Sequence, residues 1–404
     1  MPVYNYKVRD FEGNLLTGKL ELDSKALCID NLKQRNYYIL DLKEEAEKKD
    51  IFDSLKNLRK VKVKDIAVFC RQFATLINAG LPIVTSIATM VQQVENKRLK
   101  KVLSEVYEDV QKGKGLSESM RKHPDVFPML LFNMIEAGEA SGTLDNVLNK
   151  MADYFEKENN LRQKIKSALT YPMVVSIVAI LVVIFLVTNV IPTFVGIFED
   201  IGAQLPLPTM ILLRLSNSIS HYWYSYIIVL ALTVFLIMKA LKTDNGRRFY
   251  DALSLKVPIF GLLNKKVITS RFSRTLATLI SSGIPLMEAM EVVENIIGNI
   301  MVSEGLKEAA NDIKMGKGLA EPLKRIGIFP PMVIQMITVG ESSGYLDSIL
   351  KKTADFYDSE VDTEVSQMTT LIEPLIIVVL ALVVGFIVIS IVMPMFKIYN
   401  FVGQ

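Results

Sequence analysis

The residues whose spacing could do chemistry all occur twice in this 404-residue chain. Gly113-Lys114-Gly115 and Gly316-Lys317-Gly318 set a lysine between glycines, as a phosphate-binding loop would. Such a loop needs G-x-x-x-x-G-K-[ST] between a strand and a helix, so that backbone N–H groups and the lysine surround phosphate oxygens. Here the spacing differs, no Ser or Thr follows either lysine, and both flanks read as helix. The phrase therefore predicts a helix–turn–helix connection and no ATP site.

The second candidate is Gly138-Glu139-Ala140-Ser141-Gly142-Thr143-Leu144-Asp145, repeated as Gly340-Glu341-Ser342-Ser343-Gly344-Tyr345-Leu346-Asp347. Acid–base catalysis would need a second carboxylate, a nucleophile or a histidine beside the glutamate, and none recurs with it. Gly142 and Gly344 suit a left-handed cap that ends one helix. Thr143 reads as the N-cap of the next, with Asp145 favourable at its positive end. Capping does not explain Glu139 and Glu341. Either each anchors a basic residue inside a bundle, or each faces a partner or a cation. Arg71 and Arg274, duplicated with them, suggest the salt bridges Arg71–Glu139 and Arg274–Glu341. No catalytic residue, cofactor site or metal site is expected.

These phrases belong to a duplication. FCRQFATLINAGLPI (69–83) returns as FSRTLATLISSGIPL (272–286), eight identities in fifteen positions, where chance gives about one. Gly80 and Pro82 recur as Gly283 and Pro285, Phe127-Pro128 as Phe329-Pro330, and Pro172 and Pro192 as Pro374 and Pro394. The offset is 203 residues up to the Gly-Lys-Gly and 202 after it. In the first unit Ile66, Phe69, Phe73 and Ile77 stand at helical spacing, and strand-like alternation is missing. Each unit thus reads as a bundle of about six helices.

Half of the residues are apolar and the net charge is only +3, which gives nucleic-acid binding no electrostatic support. Two cysteines (Cys28, Cys70) and two histidines are too few and too scattered for a disulfide framework or a histidine metal centre. Ser167–Phe198 and Pro374–Phe396 carry no charge, and Leu215–Met238 is interrupted only by His221. Each exceeds the roughly 20 apolar residues that cross about 30 Å of hydrocarbon. The span cores contain no Asp, Glu, Lys or Arg, so they read as anchors and not as a conduit. The N-terminal MPVYNYKVRDFEG lacks the charged-then-apolar pattern of an export signal.

The expected order is a small α/β module (1–43), a charged linker (44–65) and a first cytoplasmic bundle (66–166). A first transmembrane helix (167–192), an extracytoplasmic loop (193–222) and a second transmembrane helix (223–241) follow. A second cytoplasmic bundle (242–370), a third transmembrane helix (371–396) and an extracytoplasmic tail (397–404) complete the chain. In the module, Val3–Val8 and Leu15–Leu22 read as strands around a turn at Gly13, with a helix over Ser24–Arg35. Arg162, Lys164 and Lys166 before the first span, and Lys239, Lys242, Arg247 and Arg248 after the second, place both bundles inside by charge bias. Before the third span Asp355, Asp358, Glu360, Asp362 and Glu364 are acidic. That divergence predicts different partners for the two bundles.

The duplicated phrases, the Gly-Glu-x-Ser-Gly-x-Leu motif and the order bundle–span–span–bundle–span resemble the inner-membrane platform family of type II secretion and type IV pilus machines. These are the PilC-type, or secretion-system F, proteins, and the resemblance covers essentially the whole chain. It implies a non-enzymatic, all-α membrane platform that self-associates within the lipid bilayer. The implied partners are a hexameric cytoplasmic assembly or retraction ATPase, pilin or pseudopilin subunits and other inner-membrane alignment proteins. A passive scaffold or receptor would differ only in binding no motor. A repeat-built secondary transporter would need broken helices and polar groups within the membrane.

Overall fold

The computed structural model describes residues 3–9, 15–21, 28–29, 31–32, 37–44, 60–199, 206–258 and 260–402. The N-terminal unit is a three-stranded antiparallel sheet in the order β2-β1-β3, formed by β1 (Val3–Arg9), β2 (Leu15–Glu21) and β3 (Tyr38–Glu44). Tyr4 and Val8 are buried on β1, as are Cys28 and Leu32, so the strand's alternate residues form a small core. Tyr6 pairs with Gly18 and its ring lies over that glycine, where a side chain would not fit. The third strand was not expected, because Tyr38 and Leu40 are exposed and give no apolar alternation. The turn at Gly13, most of the helix over 24–35 and most of the charged linker lie outside the described residues.

The second unit begins with six helices: α1 (Val63–Asn78), α2 (Ile83–Gln93), α3 (Lys97–Gln111), α4 (Leu116–Arg121), α5 (Met129–Ser141) and α6 (Leu144–Phe185). Helix α1 buries Ile66, Phe69, Cys70 and Phe73 on one stripe at helical spacing. It ends at Gly80, whose φ of 81° suits a residue without Cβ, and Pro82 caps α2. The second repeat has the same succession: α10 (Phe260–Ile280), α11 (Leu286–Ile296), α12 (Ile300–Lys314), α13 (Ala320–Ile326), α14 (Pro331–Ser343) and α15 (Leu346–Val402). Gly283, with φ 84°, and Pro285 repeat the turn.

The two bundles share one core. Phe69 stacks on Phe73 with ring centroids 5.5 Å apart and lies 5.9 Å from Phe127, while Phe272 meets Phe329 at 4.7 Å. All five belong to a single cluster of buried side chains that runs through both repeats, and Phe69, Phe73 and Phe272 are fully buried. The buried Tyr154 hydroxyl is 3.0 Å from that of Thr275, and Lys150 Nζ donates to the Ser281 carbonyl at 2.6 Å. The duplicated halves therefore meet face to face.

From this body α6 runs on without a break through a π turn (Leu186–Val190) into α7 (Ile191–Glu199). The wider turn lies just before Pro192, which has no N–H to donate, and Asn189 and Thr193 side chains bond the carbonyls of Phe185 and Asn189. Helix α15 has 57 residues, a length of about 85 Å, of which a membrane takes about 30 Å. With α8 (Leu207–Ala240) these make three helices long and apolar enough to span a bilayer.

The stretch expected as a loop over 193–222 is largely helical. It holds α7 and the first half of α8, which kinks at Tyr222 (φ −114°, ψ 20°). Leu212 packs with Val187, Ile191, Val195 and Ile387, and Thr209 Oγ1 donates to the Ser390 carbonyl at 2.5 Å. Apolar contact with the ends of α6 and α15 thus orders a segment whose charges read as a solvated connection. Residues 200–205 lie outside the described residues.

Between α8 and α10 stands α9 (Asp244–Lys256).

Candidate functional site

Glu139 and Glu341 are N-terminal caps of helices that precede them by more than twenty residues. Glu139 Oε1 accepts from the Leu116 N–H at 2.6 Å, and Oε2 accepts from the Ser117 N–H at 3.2 Å and its hydroxyl at 2.5 Å. Glu341 accepts from the N–H groups of Leu319 and, at 3.2 Å, Ala320. A carboxylate here satisfies donors that a helix leaves open at its start, where the dipole favours negative charge. Both Glu139 oxygens are thereby engaged.

This contact also explains the Gly-Lys-Gly turns. Gly113 and Gly316 take φ of 86° and 82° to close α3 and α12. A Cβ on Gly318 would lie 3.0 Å from Glu341, a tight approach, whereas one on Gly115 would lie 3.5 Å from Glu139, an ordinary contact. Each lysine is paired with a carboxylate of the preceding helix. Lys114 reaches Asp109 at 2.8 Å and Lys317 reaches Asp312 at 2.7 Å, with Lys122 and Arg325 completing each pair. Hydrogen bonds from Lys114 and then Lys122 lower the Asp109 carboxyl to about 2.

Gly138 and Gly340 serve close packing. A Cβ on Gly138 would lie 3.2 Å from Leu144 Cα, and one on Gly340 3.1 Å from Leu346 Cα. Gly142 (φ 71°) and Gly344 (φ 75°) reverse the chain between those helices. Thr143 occupies the N-cap position of α6 without bonding the helix backbone, its hydroxyl lying 2.7 Å from that of Ser141.

The expected pairing of each arginine with these glutamates is wrong. Arg71 instead grips Glu156 with two parallel bonds of 2.7 Å and Asp153 at 2.5 Å, both on α6. Arg274 pairs with Asp358 and lies 3.6 Å from Asp355, both on α15. Since Asp153 and Glu156 correspond to Asp355 and Asp358 at the 202-residue offset, the clamp itself is duplicated. The Arg71 bonds hold the Glu156 carboxyl below its usual range. Burial alone would raise Asp355, but the bond and charge of Lys157, followed by Arg274, bring it below its usual range.

Where α6 and α15 leave the bundles, their side chains pair across the seam. Lys157 bonds Asp355 and Lys164 bonds Asp362, each at 2.5 Å. Lys266 on α10 bonds Glu364 at 2.8 Å and Glu360 at 3.0 Å, and Arg271 bonds Glu158 at 2.8 Å. Leu161, Leu263, Val361, Val365 and Met368 fill the space between. Lys164 of the basic flank thus meets the acidic flank of the third span, while Arg162 pairs with Glu158 on its own helix. All five acidic residues named from the sequence bond cations of the other two helices, Asp355 and Asp362 those of α6, and Asp358, Glu360 and Glu364 those of α10. The charge divergence thus gives no support to separate partners for the bundles.

A cleft of about 630 Å³ opens in the seam, bounded by Lys150, Asp153, Lys157, Arg274, Asp347 and Lys351. Its walls carry both signs, and burial lowers the Lys150 ammonium. Among the described residues, no three His, Cys, Asp or Glu side chains converge as metal ligands would.

Two bundles on a shared core, continued as long helices towards three spans, define an integral membrane protein built by duplication. The chain belongs to the type II secretion system protein F family: it matches the family described as "Type II secretion system (T2SS), protein F" over residues 69–192 and 272–394. Residues 1–43 match its N-terminal domain. The chain is 38% identical over 400 residues to the type IV pilus assembly protein PilC of Thermus thermophilus, covering 98% of each. It is 31% identical over 406 residues to the type II secretion system protein F of Vibrio cholerae, covering each in full. The Pseudomonas aeruginosa PilC shares 37% identity over 348 residues, 85% of this chain and 92% of the relative. It is accordingly an inner-membrane protein of the pilus and secretion class.

Proposed function

We propose that the protein is the non-enzymatic platform of a type IV pilus or type II secretion machine, with both bundles in the cytoplasm. In this reading it couples a hexameric assembly or retraction ATPase to the movement of pilin or pseudopilin subunits. The observation that carries the reading is the continuity of α6 and α15 from the arginine clamps into the spans. A continuous helix carries a tilt imposed on the bundles towards the membrane, and Pro172 in α6 and Pro374 in α15, which have no N–H to donate, mark where each helix bends most easily. Basic residues on the bundle side of the first two spans support the orientation. An apolar groove between the first and third spans, lined by Ala179, Ile180, Val183, Leu375, Val379 and Val383, suits the apolar helix of a pilin. The duplicated Arg71, Glu139, Arg274 and Glu341 act in this scheme as rigid joints.

The test is capture of hexameric secretion ATPases by detergent-solubilised full-length protein, with and without nucleotide. Nucleotide-dependent capture is expected. Failure with every such ATPase, by protein shown to be folded, would favour a passive scaffold.

A further inference from the structure

We propose that α9 is a membrane-interfacial helix, its outer face lodged among anionic lipid headgroups of the bundle-side leaflet. Its position carries the argument first. The second span ends at Ala240, and Gly246 packs so closely on the Ala240 carbonyl that a Cβ would not fit. The start of α9 is therefore folded against the foot of that span. At its other end Gly261 is in the same tight contact with the Leu255 carbonyl, and Leu263 packs with Leu161, Val365 and Met368. Leu161 precedes Ser167, and Met368 precedes the Glu373 that borders the charge-free run, by one to two turns, about 7–9 Å. Both ends of a helix about 20 Å long thus lie near the membrane boundary. It runs along the surface.

The two faces of α9 differ as such a helix requires. Inward, Asp251 is buried and accepts from the Ile300 N–H at 2.8 Å, and Arg248 pairs with Glu304. Outward, Phe249 is 71% exposed, Tyr250 56% and Leu253 47%, and Phe260 and Leu262 at the start of α10 are exposed as well. An aromatic and aliphatic face of this size is costly in water and suited to the boundary of headgroups and acyl chains. Lys239, Lys242 and Arg247 flank it, and among the described residues none of the three forms an ion pair. Unpaired cations next to an apolar face match phosphate-bearing lipids.

The experiment uses full-length protein in nanodiscs, with a Phe249→Trp probe in a Trp223→Phe background, Trp223 being the single tryptophan. Bromine-labelled phosphatidylglycerol is expected to quench the probe several-fold more than dissolved acrylamide does. Replacing Lys239, Lys242 and Arg247 by Gln should abolish the preference for phosphatidylglycerol over phosphatidylcholine. Strong acrylamide quenching with no effect of brominated lipid would overturn the proposal. Protection from both quenchers would overturn it too, in favour of a second copy covering the face. Tyr250→Trp gives an independent reading if the first probe fails to fold, as judged by thermal melting.

Discussion

The two repeats keep the same joints and differ where they touch each other. In both, a glutamate caps a distant helix and an arginine clamps the long helix at a carboxylate pair. Yet Arg71 remains 39% exposed at its side chain and Arg274 only 11%, because the second clamp lies in the seam. At the flanks of the spans Lys157 and Lys164 stand where the second repeat has Ser359 and Ser366, and Asp362 stands where the first has Asn160, so the copies differ in the charges that pair across the seam. Two identical surfaces cannot pair like charges favourably, whereas a duplicated chain can make its copies complementary. The lesson is that duplication conserved the internal joints and specialised the mutual face.

The largest expected effect tests whether the repeats fold together. Phe69→Ala and Phe272→Ala should each cost about 3–5 kcal/mol by opening the core. Because the core is shared, calorimetry in detergent should show one transition shifted as a whole by either change. Two transitions, with only one displaced, would mean that the bundles are independent.

The clamps come next. Arg274→Ala should cost about 2–3 kcal/mol, since it strands half-buried acids, and Arg71→Ala about 1 kcal/mol, since water screens that pair. Denaturant midpoints of the two variants check the ranking, and equal losses would contradict the difference in burial. Glu139→Ala should cost about 1–2 kcal/mol as a lost helix cap. Glu341→Ala should cost less, because Ala320 supplies no hydroxyl where Ser117 does.

Acid sharpens the comparison further. Asp109, Glu156 and Asp355 all have carboxyls lowered in the folded state. The unfolded chain then binds more protons, so stability is full above their ordinary values near 4 and falls as pH drops towards about 2. Melting temperatures from pH 6 to pH 2 should fall through that window, and neutralising Arg71 should remove part of the slope. The smallest effect belongs to the seam pairs. Lys164→Glu should lose about 0.2–1 kcal/mol, and adding Asp362→Lys should recover it in a double-mutant cycle. Strictly additive changes would show that the stalks are not electrostatically joined.

Several features were legible because they are local. The apolar stripe of α1, the glycine-ended helices and the three uncharged runs follow from periodicity, cap chemistry and length. The two clamps were half legible. Ala152-Asp153 and Ala354-Asp355 repeat at the same offset as the motifs already matched, and extending the match would have found the partners of Arg71 and Arg274. The caps were not legible, because the donors lie 22 or 23 residues from Glu139 and nothing in a linear pattern pairs a carboxylate with a remote backbone N–H.

By itself the sequence determined the duplication, the helical period, the chain turns at Gly80, Gly142 and their copies, and the three membrane runs. Each rests on short-range physics, namely side-chain spacing, backbone freedom at glycine and the hydrophobic length of a helix. Tertiary structure alone decided that the bundles share a core, that Lys157 and Lys164 meet Asp355 and Asp362, and that residues 207–221 pack as helix at the ends of two spans. Those outcomes depend on which surfaces meet, and burial converts the same charges from solvated groups into partners.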